Sequence, residues 1–228
     1  IALRNTGLWV LLECTVHVGL GISMALLLYK QPRGWKLMRT AYYMPNVVST
    51  SARAMMFANV FSPSHGLLNS ILRLVLGQDY MRNWLNDPST AFASVTSTWI
   101  FFAGLVMLIV LSDIVSIPDS ILEAARIDGA TKGQIDRMIV LPLSRNAIST
   151  CVIISATAKL KEFEMIYLTT GGGPGNLTYN LPLMVYKNAM VSSNYGYANA
   201  IGTLLIVMGF VVVLALSSVF KIGGGDGR

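Results

Sequence analysis

An all-α, membrane-embedded fold is predicted by the composition of the chain and by the lengths of its apolar stretches. Hydrophobic residues make up 54% of the 228 residues and charged residues only 12%, and the mean hydropathy is +0.58. A soluble fold of this composition would be short of polar surface, whereas a bilayer is an apolar solvent. A transmembrane helix needs about 20 mostly apolar residues. Five stretches supply that length and predict five spanning helices: residues 5–29, 37–60, 90–112, 146–168 and 197–220.

The basic residues in the connections predict how these helices are oriented. Ten basic residues follow the first, third and fifth stretches: Lys30, Arg33, Lys36, Arg39, Arg126, Lys132, Arg137, Arg145, Lys221 and Arg228. Four lie on the opposite side: Arg4, Arg73, Arg82 and Lys187. Basic loops are retained in the cytoplasm. We therefore expect the N-terminus of the chain outside and its C-terminus in the cytoplasm, with at least one upstream helix missing.

Several kinds of site are not expected. The net charge of +6 comes mainly from the ten basic residues on one side of the membrane. This distribution is explained by membrane orientation, so no nucleic-acid partner is predicted. Cys14 and Cys151 fall in apolar stretches, where a thiol usually behaves as a small hydrophobe, so we expect no disulfide and no metal site. The run from Gly171 to Gly175 lacks the Gly-Lys-Ser/Thr ending of a P-loop, so no nucleotide site is predicted.

Two connections are long enough to contain structure of their own. Residues 61–89 predict a turn, a short surface helix over Leu67–Leu76 and a second turn. Residues 113–145 predict a helix that begins after Pro118 and stops at Gly129, because Asp119 suits the N-terminus and glycine suits the C-terminus. A second helix is expected from Lys132 to Val140, ending at Pro142.

The connection at 113–145 also contains a motif of separated elements. Glu123-Ala124-Ala125 is followed after three residues by Gly129 and after nine more by Ile139-Val140-Leu141-Pro142. The two alanines let another surface approach the backbone, and Gly129 allows a tight reversal. The pattern resembles the EAA motif of permease subunits of binding-protein-dependent ABC importers. The alternative is an ordinary helical hairpin, which alanine-rich helices often form.

This resemblance implies the type I ABC importer permease fold, a single permease domain over residues 1–228 and a set of partners. In that family the loop, here residues 113–145, seats in a cleft of the ATPase. The residues implied in ATPase coupling are Glu123, Ala124, Ala125, Asp128, Gly129, Ile139, Leu141 and Pro142. The implied partners are a second homologous permease, two cytoplasmic ATPase subunits, an extracytoplasmic solute-binding protein and the lipid bilayer. The chain is expected to catalyse no reaction and to bind no cofactor, since ATP and Mg²⁺ belong to the ATPase.

Further short runs are similar to landmarks of the carbohydrate-uptake branch of this family. They are Ala41–Pro45, Gly66–Asn69, Trp84–Pro88, Leu168–Pro174 and Tyr195–Ala198. The run Gly171 to Pro174 is similar to the first of the two permeases that such systems carry. The resemblance therefore implies a carbohydrate substrate and a location in the bacterial inner membrane.

Polar residues in the fourth apolar stretch are candidates for the substrate site. Charges at membrane depth are costly and tend to face a partner or a watery cavity. Ser155, Lys159 and Glu162 follow an i, i+4, i+7 spacing and would share one helix face. They match positions at which maltose-type permeases line their sugar site, and Lys159 is a possible partner for the carboxylate of an anionic sugar. The alternative is an ion pair between Lys159 and Glu162 that only packs the bundle.

Two other functions remain open. A secondary transporter, or a permease for another small solute, would suit the same composition but would not require the complete loop motif. An intramembrane enzyme would need a catalytic constellation, and Glu13 with His17, four residues apart, lacks an identifiable nucleophile.

Overall fold

The computed structural model describes residues 1–77 and 80–220, and within these ranges the chain forms helices joined by turns, with no strand. Lys221 and Arg228, which belong to the basic residues counted above, lie outside the described residues. The principal helices are α1 (Ala2–Leu12), α2 (Val18–Leu28), α3 (Trp35–Tyr43), α4 (Thr50–Val60), α5 (Leu67–Leu76), α6 (Ala91–Ile100), α7 (Gly104–Val115), α8 (Asp119–Ile127), α9 (Lys132–Ile135), α10 (Leu141–Leu143), α11 (Arg145–Lys161), α12 (Glu164–Thr169), α13 (Leu181–Tyr186) and α14 (Tyr195–Phe220). A 3₁₀ turn and short π-helical segments join some of them: Met44–Asn46, and Glu13–His17, Asp136–Val140 and Lys187–Val191.

The described residues contain three helices that are long and apolar enough to cross a membrane: Ala2–Leu28, Ala91–Val115 and Tyr195–Phe220. The pair Lys132–Leu143 and Arg145–Lys161, bent by 67°, would make a fourth. The predicted stretch 37–60 is not one helix. It is divided by the 3₁₀ turn that contains Pro45, and α4 begins afresh where the Ser49 hydroxyl accepts the N–H of Ala52. The structure thus supports three or four spanning helices by length and composition, and the predicted number of five is not confirmed.

The predicted helix 146–168 is also interrupted. Helix α11 ends at Lys161, and α12 begins at Glu164. At the break, the amide of Asn180 donates a hydrogen bond of 2.6 Å to the carbonyl of Glu162, and the Glu162 carboxylate accepts the N–H of Met165 at 3.2 Å. These side-chain contacts replace helical hydrogen bonds, so Glu162 lies beyond the helix that carries Ser155 and Lys159. The expected i, i+4, i+7 spacing therefore does not run along one continuous helix.

The chain forms two compact units, and the first contains Ile1–Leu12, Val48–Phe101 and Thr157–Phe210. Its core is aromatic and aliphatic, with buried Trp9, Val95, Trp99, Ile166 and Leu183. Trp9 stacks on Phe92 with ring centroids 4.9 Å apart, and its indole N–H donates to the Thr96 hydroxyl at 2.9 Å. The polar edge of this buried indole is satisfied inside the core, as an apolar environment requires.

The second unit contains Glu13–Val47, Phe102–Ala156 and the segment from Val211. Its core lies between α2 and α7 and includes Val18, Ala25, Met107 and Val110. The two helices approach closely at Gly21, where an added Cβ would lie 2.5 Å from Val106 Cγ1. Small residues permit such close packing of helices in membranes.

Candidate functional site

The coupling segment, residues 113–145, lies in the second unit and is folded as two helical arms. The first arm, α8, begins after Pro118 and ends at Ile127. Gly129 reverses the chain with φ of +83°, and the N–H of Ala130 bonds to the carbonyl of Ala125 at 2.9 Å. Only glycine adopts this backbone conformation without strain. The predicted start and stop of this helix are confirmed.

The second arm begins at a capping box. Thr131 accepts the N–H of Gln134, and the Gln134 side chain accepts the N–H of Thr131 at 2.8 Å. This reciprocal pair satisfies N–H groups that have no partner within the helix. The arm does not end at Pro142, as predicted, but continues through it to Leu143. A π-helical segment over Asp136–Val140 precedes the proline and changes the hydrogen-bond register there.

One side of the coupling segment is anchored and the other is exposed. Leu122, Ile135 and Val140 are buried in the core of the second unit. Of the predicted coupling residues, Ala125, Ile139 and Leu141 are half-buried, and the others are exposed: Glu123, Ala124, Asp128, Gly129 and Pro142. The segment thus presents a surface of small and charged residues of both signs, including Glu123 and Arg126, while its opposite side holds it in place.

Two large apolar residues on the exposed surface were missed by the sequence analysis. Ile127 is 86% exposed and Met138 is 71% exposed. Ile127 ends α8 next to Asp128 and Gly129, so its position directly before the helix stop was an available signal. A large apolar side chain this exposed and outside the candidate spanning helices, as Ile127 is, indicates an interaction surface. Met138 lies in the helix pair that would make the fourth span.

Asp136 ties the second arm to the chain that follows α2. Its carboxylate accepts a hydrogen bond from the Tyr29 hydroxyl and pairs with Lys30 Nζ at 2.6 Å. Burial, and then the hydrogen bond to Asp136, raises the pKa of Tyr29 to about 12. Because the pKa is raised on folding, the contact is fully present below the ordinary tyrosine pKa of about 10 and is lost only as the pH rises through 12. More than a hundred residues separate these partners along the chain, and no local pattern predicts them.

The predicted substrate-lining residues have different surroundings. Ser155 and Lys159 are both buried on α11, one helical turn apart. Lys159 is 7% exposed, and its ammonium lies 3.5 Å from the centre of the Trp99 ring. A cation–π contact of this kind partly compensates a buried ammonium. Glu162 has left the helix, as described above, and caps the start of α12.

Glu13 and His17 contact each other at 3.5 Å in a π-helical turn. Within residues 1–77 and 80–220, no group of three or more His, Cys, Asp or Glu side chains is placed to hold a metal ion. The contact is local, between residues four apart in one helical segment.

The chain matches known proteins both in sequence and in structure. The sequence profile of the family described as "Binding-protein-dependent transport system inner membrane component" matches residues 17–222. This chain belongs to that family. It is therefore a membrane transport subunit with the type I permease fold and not an enzyme, as the loop motif predicted.

Relatives and solved structures agree with this assignment over most of the chain. A probable ABC transporter permease of Pyrococcus horikoshii is 37% identical over 216 residues, which cover 93% of this chain and 73% of that protein. The multiple sugar-binding transport system permease protein MsmF of Streptococcus mutans is 34% identical over 220 residues, covering 94% of this chain and 74% of MsmF. A chain in the crystal structure of a bacterial alginate ABC transporter, in complex with an alginate pentasaccharide-bound periplasmic protein, matches with a TM-score of 0.86 and 26% identity. The match covers 95% of this chain and 76% of that chain.

Proposed function

We propose that this chain is a permease subunit that carries a sugar or oligosaccharide into a bacterial cell in an ATP-driven importer. The observation that carries the proposal is the complete loop motif on a hairpin whose outer side is exposed and whose inner side is anchored in the core of the second unit. The carbohydrate substrate is supported by the names of relatives, among them MsmF and the trehalose/maltose permease MalF of Thermococcus litoralis.

The proposed partners follow from the same features. The exposed surface of the coupling segment, with Ala124 and Ile127, suits a cleft in a cytoplasmic ATPase, of which two would hold the ATP and Mg²⁺. A second homologous permease completes the pathway, and a solute-binding protein delivers the sugar. The alginate transporter structure contains such a binding protein beside its matching chain, which supports this last partner.

The proposed topology places the coupling segment in the cytoplasm and the connections at 61–89 and 169–196 outside. Helices α3 and α4 would supply a further crossing over residues 37–60, for five in all within one permease domain. A membrane-impermeant thiol reagent should label a cysteine at Asn176 in intact cells and a cysteine at Lys132 only after permeabilisation. The reverse labelling would contradict the orientation.

The coupling role is tested with two glycines of the same hairpin. Space is open around both Gly129 and Gly133, but only Gly129 has a positive φ. Gly129→Ala should strain the reversal by about 1–2 kcal/mol and lower sugar uptake and ligand-stimulated ATP hydrolysis together, whereas Gly133→Ala should change neither. Normal uptake in the Gly129→Ala importer would contradict the coupling role. If uptake is lost while ligand-stimulated ATP hydrolysis is retained, Gly129 acts on the path of the substrate and not on coupling.

We further propose that Ser155, Lys159 and Glu162 border the path of the sugar, with Lys159 selecting anionic sugars. The burial of Lys159 over Trp99 suits both this role and the alternative role in packing. Lys159→Gln should reduce uptake of anionic sugars more than uptake of neutral ones, with assembly intact. Lys161→Gln, an exposed change on the same helix, is the control. If Lys159→Gln reduces assembly and the added change Glu162→Gln restores it, the packing role is correct.

A further inference from the structure

A cavity of about 350 Å³ lies beside α3 in the second unit. Leu108, Leu111 and Val115 of α7 form an apolar wall, and Trp35 of α3 lines it as well. Gln31, Arg39 and Ser112 contribute the polar atoms. The volume falls in the range of roughly 300–1,000 Å³ that is typical of small-ligand sites. The cavity therefore combines an apolar wall, interrupted by Ser112, with a cationic and hydrogen-bonding end at Gln31 and Arg39.

Within residues 1–77 and 80–220, the positive charge of Arg39 is not neutralised by an ion pair. Arg39 lines the cavity, with its guanidinium 6.0 Å from the Trp35 ring centre, whereas Lys36, 5.8 Å from the same ring, does not line it. Among the residues described, no carboxylate lies within 4.0 Å of either side chain. Asp113, the nearest acidic residue along α7, lines a neighbouring cavity that shares Leu108 and Ser112 with this one, but it is not among the residues that line the cavity of Arg39. An anionic group would supply the missing counter-charge at Arg39.

Helix α3 begins at the proposed membrane boundary and runs along α7, because Trp35 lines the cavity with Val115 while an added Cβ on Gly104 would lie 2.8 Å from Tyr43 Cα. Leu37 is exposed on α3, as are Lys36 and Arg39. Basic and aromatic residues near a helix end lie at the boundary of a bilayer, and basic pockets between membrane helices bind anionic lipid headgroups. The apolar wall belongs to α7, which is part of the span Ala91–Val115, so the wall extends from the boundary into the hydrocarbon region.

We propose that this cavity binds one anionic phospholipid. The phosphate of the headgroup is held by Arg39, with hydrogen bonds from Gln31 and Ser112, and one acyl chain lies along Leu108, Leu111 and Val115. A free phosphate would use only the polar end, whereas a phospholipid uses both. The proposed membrane topology decides only which leaflet supplies the lipid, and that leaflet would be the cytoplasmic one.

Native mass spectrometry of the assembled importer tests the proposal, with phosphatidylglycerol or phosphatidylcholine added in detergent. We expect the wild-type importer to retain phosphatidylglycerol in preference to phosphatidylcholine. Arg39→Gln should weaken this retention about tenfold. Lys36→Gln removes the same charge from the same helix outside the cavity lining and should leave retention unchanged. Val115→Trp, at an exposed lining residue, should reduce retention by filling the apolar part.

Several results would overturn the proposal. Equal losses in the Arg39→Gln and Lys36→Gln importers would indicate a diffuse basic surface. Retention of phosphatidylcholine as strong as that of phosphatidylglycerol would remove the role of charge. Displacement of the lipid by inorganic phosphate, with Val115→Trp without effect, would indicate a free-anion site, and a disulfide from Val115→Cys to the second permease would indicate a protein contact. Sugar uptake is measured in parallel, because failed lipid binding with normal uptake would leave the proposed function intact.

Discussion

The coupling segment and the connection at residues 61–89 are both long and both folded, but different kinds of contact hold them in place. The 61–89 connection pairs its polar groups with one another. The coupling segment is attached through Leu122, Ile135 and Asp136 and leaves Ile127 and Met138 exposed. Both connections expose large apolar side chains, among them Leu74 and Met81 in the 61–89 connection. The difference therefore lies in what holds each one, which is its own polar network in the first case and the core of the second unit in the other.

Asn69 is the centre of the closed connection. It is fully buried, and its amide donates to the carbonyls of Ser62, Pro63 and Arg82, the last at 2.8 Å. Its oxygen accepts the indole N–H of Trp84 at 2.8 Å. Two of the sequence landmarks, Gly66–Asn69 and Trp84–Pro88, thus meet in space. The network explains why one carries an amide at Asn69 and the other an indole at Trp84.

The largest effect is expected when that network is opened. Asn69→Ala leaves backbone carbonyls and an indole N–H without their partner, and should lower the free energy of unfolding by about 2–4 kcal/mol. Thermal unfolding of the purified permease measures the loss, with Asn86→Ala, an exposed change in the same connection, as the control. If both variants unfold at the wild-type temperature, the connection is not held by Asn69.

An exposed residue of the coupling segment should behave in the opposite way. Ile127→Asp should leave thermal unfolding unchanged, because the residue is 86% exposed. It should weaken ATPase binding about tenfold to a hundredfold, since a buried apolar contact is replaced by a charge. Met81→Asp places the same change on an exposed residue of the 61–89 connection and should not affect binding. Equal ATPase affinity in the Ile127→Asp and wild-type permeases would contradict the assigned surface.

A smaller effect is expected at the attachment of the coupling segment. Tyr29→Phe and Asp136→Asn should show a coupling free energy of about 1 kcal/mol in a double-mutant cycle. Lys30 is partly exposed, so solvent screening limits its contribution. Amide hydrogen exchange over residues 131–143 measures how far each variant loosens the second arm of the coupling segment. As a control, the free-energy changes of Tyr29→Phe and Asp119→Asn should add in the double variant, because these residues do not bond to each other. If the changes of Tyr29→Phe and Asp136→Asn add as well, the contact between Tyr29 and Asp136 does not hold the segment.

The smallest effect is expected at the ion pair of Arg82 and Asp87, 2.9 Å apart and open to solvent. Hydrogen bonds from Ser89, and then from Arg82, hold the pKa of Asp87 below its usual range. A lowered pKa contributes stability above the unfolded-state pKa of about 4 and loses it as the pH falls below that value. Arg82→Gln should not measurably change thermal unfolding at neutral pH, because Ser89 still binds the carboxylate. Destabilisation as large as that of Asn69→Ala would show that the closed connection depends on charge.

Local patterns in the sequence were sufficient where the cause is local. The start of α8, the reversal at Gly129 and the helix Leu67–Leu76 follow from proline, glycine and capping residues and are confirmed. The predicted helix 146–168 failed because Asn180, a residue distant along the chain, takes the carbonyl of Glu162. Glu162 thus lies between two helices and not on the helix of Ser155 and Lys159.

The sequence alone determined that the protein is a helical membrane subunit, and its loop motif predicted the family to which the chain belongs. Composition, helix-length apolar stretches and a spaced motif are properties that neighbouring residues carry themselves. Only the tertiary structure decided that Asp136 meets Tyr29 and Lys30, that Lys159 lies over Trp99, and that Asn69 joins two landmark runs. These contacts depend on the packing of helices far apart in sequence, because buried polar groups bind whichever partner the fold brings within hydrogen-bonding distance.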